Sequence, residues 1–142
     1  MVGGDKVPII TDKAPAAVGP YSQAIKAGNF IFVSGQIPLD PKTGEVSGAD
    51  VGAQTERVLQ NIAAILDATG GGLYQVVKTT VYLKNIADFE AMNNVYRKHF
   101  ALVPPARATV EVANLPKSAL VEIDCIAFQP SHFTLPGQTV GF

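Results

Sequence analysis

Strands that are apolar on both faces constrain this chain more than any other feature. In the run Phe-Ile-Phe-Val at 30–33, Ile31 and Val33 fall on one side of an extended chain and Phe30 and Phe32 on the other. The segment 120–128 repeats the pattern, with Val121, Ile123, Cys125 and Ala127 opposite Leu120, Ile126 and Phe128. A layer of helices covers one face of a sheet. The other face then meets water, at a cost of roughly 25 cal/mol per Å² of apolar surface. The sequence therefore predicts that the bare face is buried against further copies of the chain, in a closed homo-oligomer.

The remaining elements follow from periodicity. Residues 22–36 read as a hairpin turning at Gly28-Asn29, since both residues tolerate positive φ. A helix is expected over about 50–68, where Val58, Leu59, Ile62, Ile65 and Leu66 form one stripe. Gly70-Gly71-Gly72 should stop it; the run follows a helix rather than opening one, which argues against a phosphate loop. A strand is expected at 76–83. A second helix runs to Phe100 with Asp88 as N-cap and Phe89, Met92, Tyr96 and Phe100 on one face, before Pro104-Pro105. Two final strands span 106–112 and 120–128. Five strands and two helices in this order give a single α+β domain with a mixed or antiparallel sheet packed by two helices, and an irregular tail over 129–142.

Composition removes several function classes. A hydrophobic fraction of 47% against 16% charged excludes disorder. Eleven Lys+Arg against twelve Asp+Glu, in no basic cluster, speak against nucleic acid as a partner. One cysteine, Cys125, and two histidines, His99 and His132, argue against a metal centre. No apolar run is long enough for a membrane span. The first residues lack the apolar core of a signal peptide, so a cytoplasmic location is expected; a trimmed presequence would leave no trace.

Two charged features stand out. Arg107 enters a β-branched strand directly after two prolines, and its planar fork suits bidentate capture of a carboxylate. An edge charge that discourages strand pairing explains it equally well. Glu122 and Asp124, two apart in an apolar strand, share a sheet face. If that strand pairs antiparallel with its predecessor, Arg107 and Glu122 approach one cavity. There Glu122 is either a general base or half of a cross-strand ion pair. Asp124 is read as structural. Cys125 reads as a buried inert thiol.

The segments APAAVGPYSQA, FVSGQIPLDPKTGEV, VVKTTVYLKNIADFEAMNNVY, PPARATVEVANLPK and VEIDCIA, in this order over about 9–128, closely resemble the Rid family, also called YjgF, and within it the RidA branch. The resemblance implies a chorismate-mutase-like fold and a homotrimer whose sheets pack inward as a barrel, with pockets in the clefts between subunits. It implies hydrolysis of small 2-imino acids such as 2-iminobutanoate and 2-iminopropanoate, or their enamines, to 2-oxo acids and ammonia, without metal or organic cofactor. By position, Arg107 matches the carboxylate-binding arginine and Glu122 the acid that orients water. Tyr21 matches a tyrosine contributed by the neighbouring subunit, Ser34 and Gly35 line the pocket, and Asn93 lies near the cleft. Thr109 stands where many RidA proteins carry cysteine. It keeps the backbone N–H for a carboxylate but removes any thiol chemistry. Two other readings stand beside the deaminase: a ribonuclease or translation inhibitor acting on RNA, and a non-catalytic metabolite-binding trimer.

Overall fold

The computed structural model describes residues 6–130; the expected irregular tail and His132 lie almost wholly outside them. The elements run β1 (Val7–Ile9), β2 (Ala24–Ala27), β3 (Phe30–Gln36), α1 (Val51–Asp67), β4 (Val76–Leu83), α2 (Phe89–His99), β5 (Ala106–Glu111) and β6 (Val121–Phe128). They form one six-stranded sheet in the order β1-β2-β3-β6-β4-β5. Pairing is antiparallel throughout except between β4 and β5, which are parallel.

The glycine signals act as anticipated, and the first helix gains a cap that the sequence reading did not name. Gly28 takes φ 59° in the β2–β3 turn. Asp50 caps α1, its Oδ1 accepting the Ala53 N–H at 2.8 Å. Gly70, at φ 83°, turns the chain out of α1 while the Gly71 N–H returns to the Leu66 carbonyl. Asp88 departs from expectation. It stands before α2, but a single 3-10 turn, Ile86–Asp88, precedes it and its side chain makes no capping bond.

The sequence reading contained no β1. Three residues with Pro8 in the middle are too few to show alternation, and proline is tolerated because this is an edge strand. A second correction concerns β5 and β6, which are not neighbours. A parallel pair needs a crossover connection, and α2 supplies one between β4 and β5. The chain then returns over 112–120 to insert β6 between β3 and β4. That return passes through Lys117 and Ser118, both at φ 56°.

Both helices pack on one face. Val58, Leu59, Ile62, Ile65 and Leu66 of α1 and Met92 of α2 are buried against Ile31, Val33, Val81, Leu83, Val121, Ile123 and Ala127. The opposite face is divided. Its apolar half carries the cross-strand pairs Phe30–Phe128 and Phe32–Ile126, with the Phe30 and Phe128 rings edge-on at 5.5 Å. Phe30 and Phe32 remain 40% and 42% exposed. Its polar half carries Thr80, Tyr82, Glu122 and Asp124. Sedimentation equilibrium at micromolar concentration should find a closed oligomer and no monomer. Phe32→Glu should shift the population toward monomer while the far-UV spectrum is retained.

Candidate functional site

Arg107 is half-buried on edge strand β5. It lies directly opposite Thr79 of β4, so both side chains project to the helix-covered side. One face of α2 meets it there. Phe89, Asn93 and Tyr96 recur at i, i+4 and i+7 and therefore share a stripe. Asn93 Oδ1 accepts from Arg107 Nη1 at 2.7 Å. The guanidinium carbon lies 4.6 Å from the Tyr96 ring centre and 5.3 Å from that of Phe89. The Tyr96 hydroxyl is 2.7 Å from Thr79 Oγ1, and burial pushes the phenol's pKa up, so it stays neutral. Among the described residues no carboxylate lies within ion-pair distance of Arg107; the pair found there is His99 with Glu56. Asn93 engages one of five guanidinium donors, leaving a fork for an anionic ligand. The surrounding cavity, about 340 Å³, is lined by Asn93, Tyr96, Arg97, Phe100, Pro104 and Pro105. Thr109, two residues along β5, is half-buried and projects to the same side.

Glu122 lies elsewhere. It is opposite Tyr82, three residues from Thr79, and three is an odd step along a strand. Arg107 and Glu122 are therefore on opposite faces of the sheet with β4 between them. The antiparallel approach expected from sequence does not occur within one chain. Glu122 instead borders a cavity of about 410 Å³ together with Tyr21, Gly35, Ile37, Leu39 and Lys117. Burial, and secondarily the charge of Asp124, raises its pKa above the usual carboxylate value. Asp124 accepts the Tyr82 hydroxyl at 2.9 Å, in keeping with a structural role.

Each wall of this second cavity has a local cause. Between Val33↔Cys125 and Gln36↔Ile123 two residues of β3, Ser34 and Gly35, face one of β6. This bulge brings the Gly35 backbone against Glu122, where a Cβ would collide with Oε2. Ser34 does not line the cavity; its hydroxyl donates to the Ser22 carbonyl at 2.6 Å and pins the bulge to the strand's approach. Tyr21 is half exposed, and its hydroxyl accepts from Val18 N at 3.3 Å. The loop ahead of it is held by buried Gln23, whose amide bonds Thr11, Ala14 and Pro15. Lys117 donates to the Gly44 carbonyl at 3.1 Å.

The seven residues singled out from sequence thus divide into two groups. Arg107, Asn93 and Thr109 gather on one face; Tyr21, Gly35 and Glu122, with Ser34 behind them, gather at the other. Sequence reasoning missed Tyr96 and Phe89, placed only on the apolar face of the second helix, and did not single out Arg97, which lines the cavity. The i, i+4, i+7 relation of Phe89, Asn93 and Tyr96 was visible, but what it faced was not. Cys125 is buried, with its pKa pushed up to about 12 by desolvation, and is inert as a nucleophile at neutral pH. Among the described residues no cluster of His, Cys, Asp and Glu could hold a metal ion, and no helix is long and apolar enough to cross a membrane.

Two expectations follow for the Glu122 cavity. A glutamate with a raised native pKa takes up its proton in the folded state first. It therefore costs stability at pH 7, and the cost disappears as pH falls through the native pKa toward the unfolded value near ~4.3. Glu122→Gln should melt higher than the natural chain at pH 7, with the gap closing near pH 4 in calorimetry. Gly35→Ala should fold, yet push the carboxylate aside.

The family model described as Endoribonuclease L-PSP matches residues 11–129. A RutC family protein of Pyrococcus abyssi is 56% identical over 121 residues, covering 85% of this chain and 95% of that protein. Reactive Intermediate Deaminase A, chloroplastic, of Arabidopsis thaliana is 51% identical over 119 residues, 84% of this chain and 64% of that one. Among solved structures, E. coli TdcF with bound serine superposes with a TM-score of 0.83 at 40% identity, over 87% of this chain and 98% of that chain. With the matching model spanning most of the sequence and the fold shared, this chain belongs to the Rid/YjgF family.

Proposed function

We propose that this protein hydrolyses small 2-imino acids, or their enamine tautomers, to 2-oxo acids and ammonia. The clefts would lie between subunits of a homotrimer. The observation that carries the reading is the Arg107 guanidinium, held by an amide and two aromatic rings and left without a carboxylate partner among the described residues. Such a group is prepared for a small anion. The opposite-face position of Glu122 supports the assembly. The two halves meet only if one subunit presents its β5 edge to the Glu122 cavity of the next. The exposed Phe30, Phe32 and Phe128 supply apolar surface for that contact. The relatives named for reactive-intermediate deamination and for bound serine, an amino acid with the same carboxylate, agree in chemical class.

In this arrangement Arg107 grips the substrate carboxylate through two parallel N–H···O bonds, which fixes the adjacent C=N carbon. Glu122 of the neighbouring protomer accepts a proton from water as its oxygen adds to that carbon. Glu122 returns that proton to the imine nitrogen, giving the tetrahedral carbinolamine, and then relays the hydroxyl proton to the same nitrogen as the C–N bond breaks, so that the carbonyl forms and ammonia leaves. Its raised pKa brings the carboxylate closer to operating pH, where proton transfer in both directions is effective. General acid–base assistance of about 10²–10⁴-fold suffices for a reaction that already proceeds in water. Tyr21, Gly35 and Thr109 complete the walls, Thr109 through its backbone N–H.

The test uses a dehydratase to generate 2-iminobutanoate in the presence of semicarbazide, with trapping followed by absorbance. Added protein should suppress trapping. Arg107→Ala and Arg107→Lys should both abolish the effect with the oligomer intact, since an ammonium cannot form the fork. Near-native rates in either variant would falsify the assignment. Glu122→Gln should bind a 2-oxo acid and fail to turn over. In the natural chain the acidic limb of the rate profile should lie above the pKa of a free glutamate. Gly35→Ala should lose about 10²-fold in rate, the scale of a misplaced catalytic group.

A further inference from the structure

The ring that lies against the Arg107 guanidinium belongs to a residue that is itself held by a buried polar contact. Tyr96 is 5% exposed. A tyrosine so buried must partner its hydroxyl, and it does so with Thr79, the residue directly opposite Arg107 across the β4–β5 pair. Thr79, Tyr96 and Arg107 therefore close a small circuit. The strand register places Thr79 beside Arg107, Thr79 anchors the Tyr96 hydroxyl, and the Tyr96 ring lies back against the guanidinium at 4.6 Å. Phenylalanine at 96 would fill the same space without the anchor, and valine at 79 would be isosteric without the hydroxyl.

We propose that Tyr96, anchored by Thr79, is a positioning residue that aims the Arg107 fork without neutralising it. A carboxylate in the same place would hold the arginine more strongly, but it would also compete with the ligand's own carboxylate for the same donors. A ring face and an amide oxygen orient the cation and leave its charge available. Cation–π contact is weak when solvated and stronger when desolvated, which fits a buried tyrosine beside a half-buried arginine. Phe100, tilted against Tyr96 at 4.6 Å between ring centres, backs the ring from the far end of the helix.

The inference rests on Arg107 being the anion site, and the experiment separates the two. Calorimetric titration of 2-oxobutanoate is compared across the natural chain, Arg107→Ala, Tyr96→Leu, Tyr96→Phe, Thr79→Val and the double variant Thr79→Val/Tyr96→Phe, with KM and kcat measured alongside. Arg107→Ala should remove binding. Tyr96→Leu should raise Kd about 5–30-fold, the worth of a partly desolvated cation–π contact, with KM moving more than kcat. Tyr96→Phe and Thr79→Val should each raise Kd about 2–10-fold, and the double variant should lose no more than either single, because all three remove one hydrogen bond. If Arg107→Ala abolishes binding while Tyr96→Leu binds within twofold of the natural chain, the positioning role is wrong and the anion site stands. Additive losses in the double variant would likewise overturn the anchor. If Arg107→Ala binds normally, the anion site itself is wrong.

Discussion

The alternation of β6 governs the molecule. This strand lies between β3 and β4 and sends Val121, Ile123, Cys125 and Ala127 into the helix-covered core, while Glu122, Asp124, Ile126 and Phe128 face away. A slip of one residue would exchange the two sets, placing two carboxylates under α1 and four core side chains in the open. Register is therefore strongly specified, and with it the position of Glu122. The same strand carries the apolar surface that needs covering and the acid that borders the second cavity.

On the other face the problem is how to keep a cation half out of water without cancelling it. The protein solves it with groups that carry no net charge. Asn93 offers a carbonyl oxygen; Phe89 and Tyr96 offer π-faces. All three come from one stripe of an eleven-residue helix, which docks beside β5 because the parallel β4–β5 pair requires a crossover. Topology and electrostatics are thus linked: the helix that permits the parallel pair also supplies the cradle.

Much of this was legible in the residues. The stripe of α1 and its glycine stop are local signals, and local signals suffice for elements of that length. The two-sided strands foretold a half-open sheet. The oddity of Arg107 and Glu122 was visible because charge is rare where neighbours are apolar. Their separation onto two faces was not, since it depends on counting through the register of β4, and nothing in either strand says which strand it pairs with. The short β1 was hidden by Pro8. Tyr96 was hidden by its own spacing, because a buried aromatic at a core position looks the same whether or not its hydroxyl has work beyond satisfying itself.

The division of the two groups between faces has a consequence for inheritance. If every cleft draws its arginine from one chain and its glutamate from the next, a lesion in either residue spoils only one side of the chain that bears it. Two defective alleles, one lacking the guanidinium and the other the carboxylate, would restore intact clefts where unlike chains meet. Each allele would then complement the other in a cell that carries both.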